Sequence, residues 1–384
     1  MIGERLLLAS LAAFWLPAPI VAAQTTSPGP RQSYDQLLQA AETARTENRD
    51  GEAVRLFRRA LSEQPESEEA LWYLATLFYE KQQYADAQDA LRQFMTLRSD
   101  AGPGWALLGI CEFQLKEYSR ALNHLQRAMS EGIGDRKELA KPMLYDLMVL
   151  LTRFERYDES QALLAYGEPD ASLVDPAGLS GLHLPFLPKE IPADKRELVR
   201  MAGSAVLAVQ AEQYEQAESG FKQLVAAYPN EPGVHFLYGA YLAQRHPEQA
   251  SSEFQRELEI SPFHVLARVR LAEQFIDQQD FARALNLARE AIQLDPKRAS
   301  AHAFAGEALI GMGHTAEGIK ELEFARTEDP TVSRVHWDLM RAYASSGRKD
   351  DARREKEEME KLLRPESPGV PGNPSGSSHG PSGR

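Results

Sequence analysis

The sequence contains a single cysteine, Cys111, in 384 residues. That excludes an intramolecular disulfide and any zinc site built from several thiolates. Basic residues are also scarce. Lysines and arginines number 43 against 56 aspartates and glutamates, which leaves a net charge of −13 distributed over both halves of the chain. A general nucleic-acid binder needs a basic stripe to displace counterions from phosphates, and none is present. Signatures of catalysis and phosphate binding are missing as well: there is no P-loop, no H-E-x-x-H and no G-x-S-x-G. After residue 23 no apolar run approaches the roughly 20 residues that cross hydrocarbon. What is left is an ordinary core-forming composition, 43% hydrophobic and 26% charged.

Residues 1–23 read as a secretory signal. Arg5 gives a weakly basic start, Leu6 to Leu16 is apolar, and Pro17 and Pro19 break the run. Val21, Ala22 and Ala23 then supply the small residues that a signal peptidase selects, so cleavage is predicted before Gln24. The alternative is an uncleaved anchor, for which the interval from Leu6 to Val21 is short and twice interrupted by proline. Cleavage predicts an exported protein, periplasmic or extracellular, with no membrane span afterwards. Cys111 would then be a lone thiol in an oxidising compartment, best kept buried.

The rest of the chain is periodic. Small residues that follow a polar turn recur at Ala53, Ala87, Ala121, Ser160, Ala217, Ala250, Ala284, Gly318 and Ala352, mostly about 34 residues apart. Four residues later come Phe57, Leu91, Leu125, Leu164, Phe221, Phe254, Ala288, Leu322 and Lys356, and prolines recur in phase at Pro65, Pro229, Pro262, Pro296 and Pro330. Within one period, Leu71, Leu74, Ala75 and Phe78 form an apolar stripe at helical spacing, a polar turn follows, and Ala87 and Leu91 form a second stripe. Small residues at the eighth position (Ala75, Gly109, Gly239, Ala272, Gly306) allow two helices to cross closely. No such hairpin buries its stripe alone, so neighbours must stack around a continuous core.

A period near 34 carrying W-x2-L-G, A-x3-F and P resembles the tetratricopeptide repeat, and Trp105, Leu108 and Gly109 fit its opening motif. The resemblance covers most of the chain after residue 23 and implies an all-α, right-handed superhelical solenoid of antiparallel helix pairs. Nine units are expected, starting near residues 34, 68, 102, 141, 198, 232, 265, 299 and 333. The unit at 141 is degenerate, with Pro142 in its first turn, and the unit at 232 has lost a turn residue near His246. The expected organisation is a signal at 1–23, a linker at 24–33 and an N-terminal array at 34–168. A proline-rich connector at 169–197, a C-terminal array at 198–364 and a disordered Pro/Gly/Ser tail at 365–384 complete it. Prolines 169, 176, 185, 188 and 192 predict that helices stop in the connector. Its apolar Leu182, Leu184, Phe186 and Leu187 suit either a plug in the groove of the solenoid or a strap across the outside. From Arg348 to Arg364 nearly every residue is charged, and only Ala352, Met359 and Leu362 face inward, as a polar end cap requires.

Three local patterns bear on chemistry. Gly311-Met312-Gly313-His314-Thr315-Ala316 fits G-x-G-x-x-A, but it follows a predicted helix and reads as a turn. Ser219-Gly220-Phe221-Lys222 fits S-x-x-K without its companion motifs. His235, His302 and His336 recur at the fourth position of a unit, where the repeat has tryptophan. They read as packing histidines rather than as a metal ladder. No catalytic, cofactor-binding or metal-binding residue is predicted.

In proteins of this family the first helix of each unit lines a concave groove that holds peptides. The resemblance therefore implies a partner-binding groove at Trp72, Tyr79, Ile110, Phe113, Tyr145 and Val149. In the C-terminal array it implies Phe236, Trp337 and Arg341, beside the more polar Glu273 and Glu307. Trp72, Thr76 and Tyr79 share a helix face distinct from the core stripe, which suits an apolar peptide or helix. The other reading is that these side chains pack between neighbouring helices. The expected function is a non-enzymatic, exported scaffold for protein or peptide partners in an envelope, secretion or polysaccharide assembly. The alternatives are a repeat subunit of an enzyme complex and a self-assembling structural component.

Overall fold

The computed structural model describes residues 33–166 and 170–363. The signal at 1–23, almost all of the linker and the tail at 365–384 lie outside the described residues. Among those described there are helices and no strand, an all-α architecture. None of these helices is long and apolar enough to cross a membrane. The chain divides into two compact units, residues 1–65 and 66–384, and each is described by itself.

The first unit is one hairpin, α1 (Tyr34–Thr46) and α2 (Asp50–Glu63). A capping box starts α1: the Ser33 hydroxyl accepts from the Gln36 amide, and the Ser33 amide donates to Gln36 Oε1 at 3.1 Å. Leu37, Ala41 and Ala44 of α1 and Ala53, Phe57 and Ala60 of α2 are fully buried.

The second unit continues the hairpin pattern. Its helices are α3 (Glu68–Glu80), α4 (Tyr84–Leu97), α5 (Gly102–Gln114), α6 (Tyr118–Glu131), α7 (Ala140–Arg153), α8 (Tyr157–Ala162) and α9 (Val174–Gly181). There follow α10 (Arg196–Gln210), α11 (Tyr214–Ala227), α12 (Val234–Arg245), α13 (Pro247–Ile260), α14 (Val265–Asp277) and α15 (Phe281–Leu294). The last four are α16 (Ala299–Gly311), α17 (Thr315–Glu328), α18 (Ser333–Ser345) and α19 (Lys349–Leu363). Each helix packs on its neighbours in sequence, and the first helices of successive hairpins also meet, α5 with α7, α14 with α16 and α16 with α18. Stacking of this kind gives each stripe two partners and makes a helical solenoid.

One turn geometry repeats. A residue in the left-handed region closes the first helix of the hairpin at Asn48, Gln82, Lys116, Glu155, Glu212, Gln279, Gly313 and Gly347. The next amide then donates back to a carbonyl of the last helical turn, as in Gln83 to Phe78 at 2.9 Å and Glu117 to Glu112 at 2.8 Å. This double closure satisfies carbonyls that a helix end leaves open. The α12–α13 hairpin is the exception: His246 joins the two helices at φ −141°, so no left-handed residue is needed where the turn is one residue shorter.

The close crossings are real. A Cβ on Gly109 would lie 2.7 Å from Leu125 Cγ, on Gly239 2.7 Å from Phe254 Cε1, and on Gly306 2.7 Å from Leu322 Cγ.

The connector differs from expectation. Helix does not stop there: α9 forms within it and is almost wholly buried, packed on α7, α8 and α10. Pro176 lies in the first turn of α9, where amide hydrogens have no helical acceptor in any case, so it costs no bond. Gly178 and Gly203 let α9 and α10 cross backbone to backbone, since a Cβ on either would strike a carbonyl oxygen of the other helix, Val199 or Val174. Beyond α9, Leu182 and Leu187 are buried, and Leu184 and Phe186 pack on the core of the C-terminal hairpins. The segment is therefore part of the core and not an external strap.

Candidate partner-binding face

The structure separates the nine expected groove residues. Tyr79 of α3, Phe113 of α5 and Tyr145 of α7 are half-buried, each presenting part of its ring on the first helix of its hairpin. Tyr79 leans on Tyr84 and Phe113 on Tyr118, with ring centroids 6.2 and 5.8 Å apart, which fixes both rings from one side. Trp72 is half-buried too, but its ring is held by Phe94 at 5.5 Å and by the Arg136 guanidinium at 5.2 Å.

Ile110, Val149 and Phe236 are corrections, because all three are buried and offer no free side chain. Ile110 and Val149 lie where the next first helix packs, α7 on α5 and α9 on α7, so an aliphatic residue there joins the core. Phe236 is covered by the His264 ring at 4.6 Å and by His183 of the connector at 5.1 Å. Trp337, 42% exposed, and Arg341 lie at the surface of α18.

Sequence reasoning passed over three residues that shape this side of the molecule. The first is Arg334 of α18. It reaches Glu307 of α16 at 2.8 Å and Glu273 of α14 at 3.2 Å, with its guanidinium 5.1 Å from the Phe304 ring. The expected groove carboxylates Glu273 and Glu307 are thereby bridged by one shared cation. The second is His183, whose ring stacks on Tyr157 at 4.5 Å and whose Nε2 is buried without a partner. Burial, then the positive charges facing it, pushes its pKa down to about 3, so the ring is neutral.

The third is Asp146 of α7, only 4% exposed, with Oδ2 enclosed and unpartnered. Burial raises its pKa to about 8. A charged residue flanked on both sides by apolar ones, as in Met143-Leu144-Tyr145-Asp146-Leu147-Met148, is the signal by which it could have been found.

The recurrent histidines are structural. His235 Nε2 donates to the Pro229 carbonyl at 3.0 Å, His302 to Pro296 at 3.1 Å and His336 to Pro330 at 2.9 Å, always six residues back. Trp105 makes the same bond to the Ser99 carbonyl at 2.9 Å, again six residues back. Histidine thus replaces the indole donor at this position. Each Nδ1 faces a carboxylate on the partner helix, Glu253, Glu321 or Glu355, so both ring nitrogens are engaged and none is left to bind a metal. Gly313 sits at φ +87° in a hairpin turn, not in a phosphate loop. Lys222 bonds Glu218 at 2.6 Å, which raises its pKa and keeps it charged on the surface, unlike the desolvated lysine of an acyl-transfer site. Cys111 is buried, and desolvation, then the charge of Glu112, pushes its thiol up to about 12.

Similarity to known proteins is found over separate stretches of the chain. Residues 203–265 and 240–299 match the tetratricopeptide repeat family. Residues 47–128 match anaphase-promoting complex, cyclosome, subunit 3, and residues 278–370 match the bacterial transcriptional activator domain. Among curated proteins, the general transcriptional corepressor trfA of Dictyostelium discoideum is 28% identical over 109 residues, which is 28% of this chain and 8% of that protein. The chain therefore matches under a tenth of that relative's length. Among solved structures, the MamA RS-1 ArsTM double mutant is 19% identical, with a TM-score of 0.39, covering 44% of this chain and 96% of its own. MamA 41-end from Desulfovibrio magneticus RS-1 is 21% identical, with a TM-score of 0.37, covering 44% and 94%. Residues 203–299 thus match the tetratricopeptide repeat, and helix hairpins of the same kind are stacked on either side of them.

Proposed function

We propose that the chain is a non-enzymatic scaffold that binds a protein partner through the first helices of its N-terminal hairpins. One observation carries this reading: Tyr79, Phe113 and Tyr145, on three successive first helices, each keep part of a ring uncovered. Rigid aromatic side chains with few rotatable bonds lose little entropy on binding and recur as interface anchors. The partner fitting such a strip is an extended or helical peptide segment with apolar side chains. Trp337 and Arg341 offer a second, more polar contact at the other end of the array. The signal-like residues 1–23 support export to a periplasm or extracellular space, where the scaffold would hold together an envelope, secretion or polysaccharide assembly.

Crosslinking in intact cells, followed by affinity purification, tests the binding face. Phe113→Ala combined with Tyr145→Ala is expected to lose partners that the wild-type chain recovers, and equal recovery of every partner would sink the reading. Export is tested by N-terminal sequencing of the mature protein. A start at Gln24 supports it, and an intact Met1 opposes it.

A further inference from the structure

Asp146 and Asp338 occupy the same register, each nine residues before the left-handed residue of its hairpin turn, Glu155 and Gly347. Both carboxyls are at least nine-tenths buried. Asp338 has a cation of its own: Arg334, one turn earlier on α18, lies 4.0 Å away and rests over the Phe304 ring while pairing with Glu307 and Glu273. At the equivalent position before Asp146 stands Pro142, which can supply neither charge nor donor. The carboxyl of α7 is thus present without its arginine.

The Tyr145 hydroxyl is pushed up by burial and then by the negative field of Asp146, and the Tyr79 hydroxyl by burial, then by Cys111 and Tyr84, and least by Asp146. Asp175 of α9 adds to the negative field at Tyr145. Burying an acid with no partner is unfavourable, and pairing it with a guanidinium between aromatic rings removes that penalty. The net charge of −13 favours the approach of a basic segment.

We propose that the α3–α5–α7 face takes an arginine side chain from the partner peptide, with the guanidinium paired to Asp146 beside Tyr79 and Tyr145. The proposal rests on the reading of this face as peptide-binding and adds the residue it selects. At neutral pH the free acid holds its proton. On pairing, the O–H bond breaks, the proton passes to the solvent, and the carboxylate accepts two N–H bonds from the guanidinium.

The test uses the full chain and two short alanine–leucine peptides that differ only in a central arginine or glutamine. By calorimetry at pH 7, the arginine peptide is expected to bind about tenfold or more tightly than the glutamine peptide. Measured in buffers of different ionisation enthalpy, its binding is expected to release about one proton. Asp146→Asn, a neutral isostere of the protonated acid, is expected to abolish the preference for arginine over glutamine. Equal affinity of both peptides for the wild-type chain overturns the arginine site but leaves the peptide-binding face standing, as does a preference that survives Asp146→Asn. Binding of neither peptide overturns both.

Discussion

His336 Nδ1 lies 2.7 Å from Glu355 Oε2, and both side chains are buried where α18 meets α19. Glu355 also pairs with Arg326 of α17, so one carboxylate ties the most highly charged helix of the second unit to the two before it. Few apolar contacts could do so, since among the buried residues of α19 only Ala352 and Glu355 are found. Glu355→Ala is expected to cost about 1.5–3 kcal/mol, the range for removing a charged hydrogen-bonding partner from a buried site. Amide exchange should speed up in α19 before any other helix of this unit. Unchanged protection in α19 would show that the helix is held by something else.

The left-handed turn residues provide a graded test. Lys116 holds φ +63° with a side chain, at a conformation that costs an L-residue roughly 1–2 kcal/mol. Lys116→Gly is therefore expected to stabilise by about 0.5–1 kcal/mol after its own entropy cost. Gly313→Ala, at φ +87°, should destabilise by a similar amount. Urea midpoints at constant slope are the measurement, and the two variants should move in opposite directions.

Gly178→Ala and Gly203→Ala probe the crossing of α9 and α10. Each new methyl would meet a backbone carbonyl that cannot rotate away, so the helices must separate, at about 1–3 kcal/mol. Gly51→Ala on α2 is the control. A Cβ there meets nothing within 4 Å, and the helix should gain roughly 0.5–1 kcal/mol in local propensity.

Asp146 predicts a pH dependence whose sign is fixed. Its folded pKa, about 8, lies far above the ordinary range of an aspartate, so the folded state holds the proton more tightly than the unfolded one. Its stabilising contribution is complete below about pH 4 and is lost as pH rises to 8. Wild-type stability should thus fall relative to Asp146→Asn between pH 5 and pH 9. Of the other groups that act at this site, Tyr79, Tyr145 and the Cys111 thiol are shifted upward and stay protonated over most of that range. A difference between the two proteins that is flat with pH would show that Asp146 is solvated.

The sequence by itself determined that the chain is all-α and built from stacked hairpins. Periodic apolar stripes and small residues at the crossings are local patterns that only one packing satisfies, and Gly109, Gly239 and Gly306 show them at work. Tertiary structure alone decided what the connector does and which groove residues are free. Proline content suggested an end to helix at 169–197, but the position of Pro176 within the first turn of α9 made the residue harmless. Ile110, Val149 and Phe236 share a register with groove positions yet are covered by elements remote in sequence. The contrast between Asp146 and Asp338 was equally invisible, because whether a buried carboxylate is paired depends on which side chains arrive from other helices. Arg334 spans three of them, and on α7 its counterpart is a proline.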